Sequence, residues 1–332
     1  MKAIIPVAGA GTRLRPLTYT QPKSLIPVAG KPIIDLIVDQ LRGAGVDEFV
    51  FIIGYLGEKI KDHIKSRYPK LKKEFVTQKE RLGLGHAIWV AKEHIIQSKE
   101  IIIFLGDTII DFDIQKFVAS ETSVFCVKTV KDPGNFGVVE IGDDGLVTKV
   151  VEKPKIPKTN MAMVGVYKIK EVKQLFDAIG KNIENNNRTH NEFQLTDGLM
   201  DLILEGHKIS TMQVNNWFDC GKKEILLETN SKLLDEEGFA SANLPAFDNT
   251  IIIDPVAIGK NCKIKNSIIG PHVTIGDNVD ISYSIVKDSI IGNFSLIDEV
   301  ILTKSIVGND AAIKGLSQSL NIGDNTEIDF SR

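Results

Sequence analysis

From about residue 251 onward, aliphatic residues recur every five or six positions: Ile253, Ile258, Ile264, Ile269, Ile275, Ile281, Val286, Ile291, Ile297, Leu302, Val307 and Ile313. Glycine often follows them, as in "IIGPHVTIGDNVD", "IIGN" and "IVGND". An α-helix repeats at 3.6 residues and a strand at two, so neither produces this spacing. A triangular left-handed β-helix does, because each flat side uses about six residues and each coil stacks on the last. Steps of five predict shortened corners. A small β-sandwich is the plainer alternative.

Ahead of this tail the pattern changes. "KAIIPVA", "EFVFIIG" and "EIIIFLGD" are continuous apolar runs that read as buried strands. Between them, "KPIIDLIVDQLRGAG", "GEKIKDHIKSRY" and "GHAIWVAKEHII" read as helices, the first bounded by Pro32 and Gly43. "KEFVTQ" reads as a short strand. This alternation predicts a parallel sheet covered by helices, with ligands in the crevice at the carboxyl ends of its strands. Residues 120–220 are more mixed. "SVFCVKTV", "FGVVEIG", "VTKVVEKP" and "MVGVYKI" read as strands, "KNIENNNRTHNE" as a loop and "EFQLTDGLMDLILEG" as a helix. A last helix, "KKEILLETNSKLLDEEG", closes this region. The expected domains are residues 1–238, an α/β domain, and residues 239–332, the β-helix.

The first strand runs directly into "GAGTRLRPLT", with "PKSL" a few residues later. Glycines allow close backbone approach, N–H groups after a first strand cradle phosphates, and Arg13, Arg15 and Lys23 supply fixed positive charge. The loop is not a Walker loop, because no Lys-Ser/Thr follows Gly11 at the required place. It is not a dinucleotide fingerprint either, because Leu14 stands where a third glycine is needed.

Together with "QKERLGLGHA", "LGDTI", "FGVVE", "VEKP", "VGVY", "EFQLTDGL" and "WFDCG", these pieces occur in one order across residues 1–221. In that order the chain resembles the sugar-1-phosphate nucleotidylyltransferases, and among them the glucose-1-phosphate uridylyl- and thymidylyltransferases. The tail resembles the left-handed β-helix of long members. The resemblance implies a Rossmann-like mixed sheet of the GT-A-like kind. It implies a reaction that joins a pyrimidine nucleoside triphosphate (UTP or dTTP) to a hexose 1-phosphate, glucose 1-phosphate foremost, and releases pyrophosphate. The attacking phosphate oxygen is already anionic, so the reaction needs alignment and charge neutralisation rather than a nucleophilic side chain.

The resemblance also implies roles. Gly9, Ala10, Gly11 and Thr12 would give N–H groups to the triphosphate, with Arg13 on the departing pyrophosphate and Lys23 near the α- and β-phosphates. Gln78 and Gly83 would meet the base. Gly137, Glu152 and Val164 would contact the sugar, and Lys153 its phosphate. Asp107 and Asp219 would hold Mg2+. Asp111, Asp113 and Arg15 read as capping or surface groups, and His86 as structural.

With a net charge of −3, no global basic field attracts nucleic acid. No apolar stretch approaches a membrane span, and three widely spaced cysteines form neither a zinc pattern nor a disulfide framework, so a cytoplasmic location is expected. The expected partners are a nucleoside triphosphate, a sugar 1-phosphate and further copies of the chain. Two other readings stay open: a non-catalytic regulatory homologue, and a bifunctional enzyme whose β-helix transfers an acyl group, with His272 as the tail's single histidine.

Overall fold

A computed structural model of the chain describes residues 1–315. It divides into two compact units, residues 1–229 and a second unit beginning at Asn230. The division falls within the last helix, upstream of the boundary expected after Gly238; the end of the expected second domain, residues 316–332, lies outside the described residues.

In the first unit, β1 (Lys2–Val7) leads through the glycine loop to a small ribbon of β2 (Pro27–Val28) and β3 (Lys31–Pro32). Then come α1 (Ile33–Gly43), β4 (Glu48–Ile53), α2 (Gly57–Arg67), β5 (Lys72–Thr77), α3 (Leu84–Val90), α4 (Lys92–Ile95) and β6 (Ile101–Phe104). Strands β6, β1, β4 and β5 pair in parallel in that order. The run "IIIF" of β6 is fully buried, as expected for a central strand with both faces covered.

The chain continues with β7 (Thr108–Asp111), α5 (Ile114–Ala119), β8 (Ser123–Thr129), β9 (Gly137–Ile141), β10 (Val147–Glu152) and β11 (Met161–Ile169). It closes with α6 (Val172–Glu184), α7 (Leu195–Leu204), β12 (Ile209–Gln213), β13 (Asn216–Asp219) and α8 (Lys223–Leu234). Strand β11 adds antiparallel to β6, which turns the parallel core into a nine-stranded mixed sheet. Strand β13 folds back on β7, so Asp219 stands opposite Thr108, next to Asp107. Two readings of local structure need correction. The helix expected over "GHAIWVAKEHII" is broken at Ala91 into α3 and α4, and the loop expected from Lys181 begins only after α6 ends at Glu184.

In the second unit, three sheets of four short parallel strands each stack side by side, as in a left-handed β-helix. Coils repeat at 17 residues between Asn261 and Asn278, and at 16 between Asp277 and Asn293. These are the shortened corners that the five-residue steps implied. Corner residues take positive φ, as at Asn261 (58°), Asn278 (57°), Phe294 (57°) and Asp310 (55°). Asn and Asp tolerate that region, and a backbone hydrogen bond from Phe294 to the Asp277 carbonyl holds one corner that lacks such a residue. Side chains also tie coil to coil. Lys260 N donates to Asp277 Oδ1 (2.7 Å), Asp277 N to Asn293 Oδ1 (2.7 Å) and Asn293 N to Asn309 Oδ1 (2.8 Å). The core contains Ile264, Ile269, Ile275, Ile281, Val286, Ile291, Ile297 and Val307. At its start the register differs by one residue: Ile252 packs on the core, whereas Ile253 is 44% exposed.

Candidate active site

A cavity of about 450 Å3 opens at the carboxyl ends of β1, β5 and β6. Gly9, Gly11, Thr12, Arg13, Lys23, Gln78, Gly83 and Asp107 all line it. Gly11 has φ 60°, and a Cβ there would stand 3.0 Å from Thr18 Cγ2, so the loop's tight turn needs glycine. Thr18 Oγ1 donates to the Gly11 carbonyl at 2.8 Å and braces it. Ala10 is buried and is absent from the lining. Gly83 has φ +111°, and a Cβ on it would come within 2.5 Å of the Phe193 carbonyl oxygen, so the loop before α7 packs against Gly83 at the cavity wall.

The charged groups neutralise one another. Lys23 Nζ lies 2.6 Å from Asp107 Oδ2 and 3.6 Å from Asp219 Oδ1, and Arg13 Nη2 lies 3.9 Å from Asp219 Oδ2. Two carboxylates from distant parts of the chain thus already share one cation. Mg2+ prefers oxygen ligands and keeps water or phosphate in much of its shell, so a two-carboxylate site fits it. No group of three or more candidate ligands occurs among the described residues. Gly221, beside Asp219, clears space for Arg13: a Cβ there would stand 2.6 Å from Arg13 Nη2. Burial pushes the neighbouring Cys220 thiol up to about 12, which leaves it inert as a nucleophile.

The residues expected to meet the sugar form a second cluster. Glu152 Oε2 accepts from Thr196 Oγ1 at 3.1 Å, and a Cβ on Gly137 would lie 3.1 Å from the same oxygen. Lys153 Nζ is 3.6 Å from Glu152 Oε1, on a backbone at φ 40°. Val164 is 1% exposed, so its side chain belongs to the core. Trp217 packs edge-on against Phe136 at 4.7 Å, and its Nε1 is buried without a partner among the described residues. Asp113 caps α5 by accepting from Lys116 N at 2.9 Å, Asp111 is exposed, and Arg15 lies over the Tyr19 ring. Sequence reasoning assigned no role to Ser24, Arg81, Glu192, Thr196 or Trp217. All lie in or beside the quoted motifs, but their roles depend on contacts between pieces far apart in the chain. Ser24 lines the cavity, is 5% exposed, and its Oγ has no hydrogen-bond partner among the described residues.

Residues 2–236 match the family model described as nucleotidyl transferase. The chain belongs to that family. It is 39% identical over 237 residues to the bifunctional protein GlmU of Methanocaldococcus jannaschii, a match covering 71% of this chain and 55% of that protein, so the chain spans about half the length of this relative. It is 30% identical to the low-salt glycan biosynthesis nucleotidyltransferase Agl11 of Haloferax volcanii, and 29% identical to a glucose-1-phosphate thymidylyltransferase of Streptomyces antibioticus, each match covering 99% of both chains. Among solved structures, UDP-glucose pyrophosphorylase complexed with UDP-glucose superposes with a TM-score of 0.61 at 24% identity, covering 70% of this chain and 97% of that one. The two full-length relatives extend the similarity through the tail, whereas this solved fold covers a share close to the first unit alone.

Proposed function

We propose that this nucleotidyltransferase joins UTP or dTTP to a hexose 1-phosphate, glucose 1-phosphate foremost, and releases pyrophosphate. The observation that carries the reading is the convergence of the glycine loop, Arg13, Lys23 and Asp107 on one cavity that also holds Gln78 and Gly83. Loop N–H groups and Arg13 bind the triphosphate, where the planar guanidinium fork suits phosphate oxygens. Lys23, paired with both aspartates, is proposed to turn to the α- and β-phosphates when the nucleotide binds. Glu152 accepts from sugar hydroxyls while Lys153 meets the sugar phosphate, so the attacking oxygen is aligned with the α-phosphorus. Asp107 and Asp219 would hold Mg2+, which supplies Lewis-acid neutralisation of developing phosphate charge. No general base is assigned, because the attacking phosphate is already ionised near neutral pH.

The test is a panel of five nucleoside triphosphates against several sugar 1-phosphates, read as pyrophosphate release. UTP or dTTP should lead the panel. ATP as the best substrate would sink the reading. The acyl-transfer alternative finds less support. Both ring nitrogens of His272 face carboxylates of the protein itself, Asp235 at 3.1 Å and Asp288 at 3.3 Å, so the ring is engaged on both edges.

Residues 239–332 are proposed to serve assembly with further copies of the chain. One flat side of the tail supports this, carrying Ile251, Ile268, Ile285 and Ile301 in register down a single column, with Ile251 59% and Ile301 74% exposed. A cytoplasmic location is proposed on the three free cysteines. No helix among the described residues is long and apolar enough to cross a membrane.

A further inference from the structure

Gln78 follows β5 directly and lines the cavity, 6% exposed. Its Nε2 donates to the Gly83 carbonyl oxygen at 3.2 Å and lies 3.2 Å from His86 Nδ1. A carbonyl oxygen can only accept, so the NH2 end of the amide faces Gly83 and His86. His86 Nδ1 therefore accepts the second N–H, and the ring proton sits on Nε2. Burial holds His86 below the usual histidine range, helped by Arg188 and opposed by Glu80 and its backbone, so the ring keeps that lone pair at neutral pH. Both amide protons of Gln78 are then used within the protein. Gln78 Oε1 has no hydrogen bond among the described residues, and the side chain offers a ligand an acceptor but no donor.

We infer that His86 is a positioning residue that fixes the amide orientation of Gln78 and so makes the base subsite select the N3–H of uracil or thymine against the N3 lone pair of cytosine. The inference rests on the cavity being the nucleotide site. An oxygen facing N3–H gains a hydrogen bond, whereas the same oxygen facing the cytosine N3 meets a second lone pair. Gly83 and His86 hold the orientation together. Removing the Nδ1 acceptor leaves one amide proton unpaired and weakens the bias by about one neutral hydrogen bond, or roughly tenfold.

The test compares kcat/KM for UTP and CTP in wild type, His86→Phe and His86→Asn. His86→Phe keeps a planar ring without the acceptor, whereas His86→Asn keeps an oxygen near the Nδ1 position. The UTP:CTP ratio should fall roughly tenfold in His86→Phe, with the UTP loss in KM rather than kcat, and stay within about threefold of wild type in His86→Asn. Equal losses for both nucleotides, with the ratio unchanged, would assign His86 a purely structural role and overturn the inference while the nucleotide reading stands. Wild type that works best with a purine triphosphate would overturn the reading itself. A measurement on unmodified protein covers the case in which His86→Phe does not fold. Long-range 1H–15N correlation should show His86 as the Nε2–H tautomer, and an Nδ1–H tautomer contradicts the assignment.

Discussion

Asp107 and Asp219 share the Lys23 ammonium, and that sharing makes each aspartate's removal testable. Asp107→Asn keeps the shape but removes one negative charge and one strong metal ligand. Loss of one preorganised electrostatic contact costs roughly a hundred- to a thousand-fold in kcat, and this variant should lose at least that much. Nucleotide binding should survive better than turnover, and added magnesium should recover part of the rate. The double Asn variant should lose less than the product of the single losses, because both groups act through one ion. Near-normal turnover with an unchanged magnesium midpoint would remove the metal assignment. Gly221→Ala probes Arg13 from outside: the new Cβ would meet the guanidinium at 2.6 Å and Asp219 Oδ1 only at 3.1 Å, so kcat should drop more than the magnesium midpoint moves. Magnesium rescue of this variant would show that Arg13 is not the group disturbed. At this scale the cavity lining was legible because glycines, cations and carboxylates placed just after strands converge on one rim of such a sheet. Thr196 and Trp217 were not, since nothing local to "EFQLTDGL" or "NNWFDCG" shows that one will meet Glu152 and the other Phe136.

At the scale of elements, periodicity carried most of the fold. The buried runs of β1, β4 and β6 and the five-to-six repeat point to buried strands and to stacked coils, and the structure has both. The loop expected from Lys181 failed for a different reason: polarity alone does not end a helix. Lys181 and Asn182 stay in α6, where Asn182 Nδ2 donates to Asp201 Oδ2 on α7 at 2.9 Å. Similarly, Ile251, Ile252 and Ile253 are identical in composition, and only the stacking coil decides which points inward. Within the second unit, Asn230 near the end of α8 reaches the strands. Its Nδ2 donates to the His272 carbonyl at 3.1 Å in a half-buried bond, and its Oδ1 accepts from Thr274 Oγ1 at 2.7 Å in a buried one. Asn230→Ala strands those partners, which costs about 1–3 kcal/mol per unsatisfied group. The loss should appear as a lower midpoint in thermal or urea unfolding followed by circular dichroism. An unchanged midpoint would mean that water replaces the side chain.

For the whole molecule, the residues proposed for catalysis all lie in the first unit, and the family match ends at residue 236. A chain ending at Gly238 should therefore retain nucleotidyl transfer and show a smaller mass by light scattering. Complete loss of activity in a folded truncation would show that the tail completes the site. Replacing Ile251, Ile285 and Ile301 together with Ser should reproduce the mass change in the full-length chain, and an unchanged mass would acquit that column. The domain order was legible from the change of period alone, but the assembly of the chain is written on a surface, in side chains whose outward direction only the coil register reveals. That register has a consequence for how such a tail can change length. Gly276 and Gly292 occupy equivalent positions one coil apart, since Ile275 pairs with Ile291. Excising residues 277–292 would join Gly276 to Asn293 with every column still continuous, and the shortened tail should melt as one cooperative unit. Cutting out a single side of the triangle would throw all three columns out of phase. A gene encoding this protein is therefore free to gain or shed material here in whole turns, as a chain gains or loses links, while the chemistry upstream stays untouched.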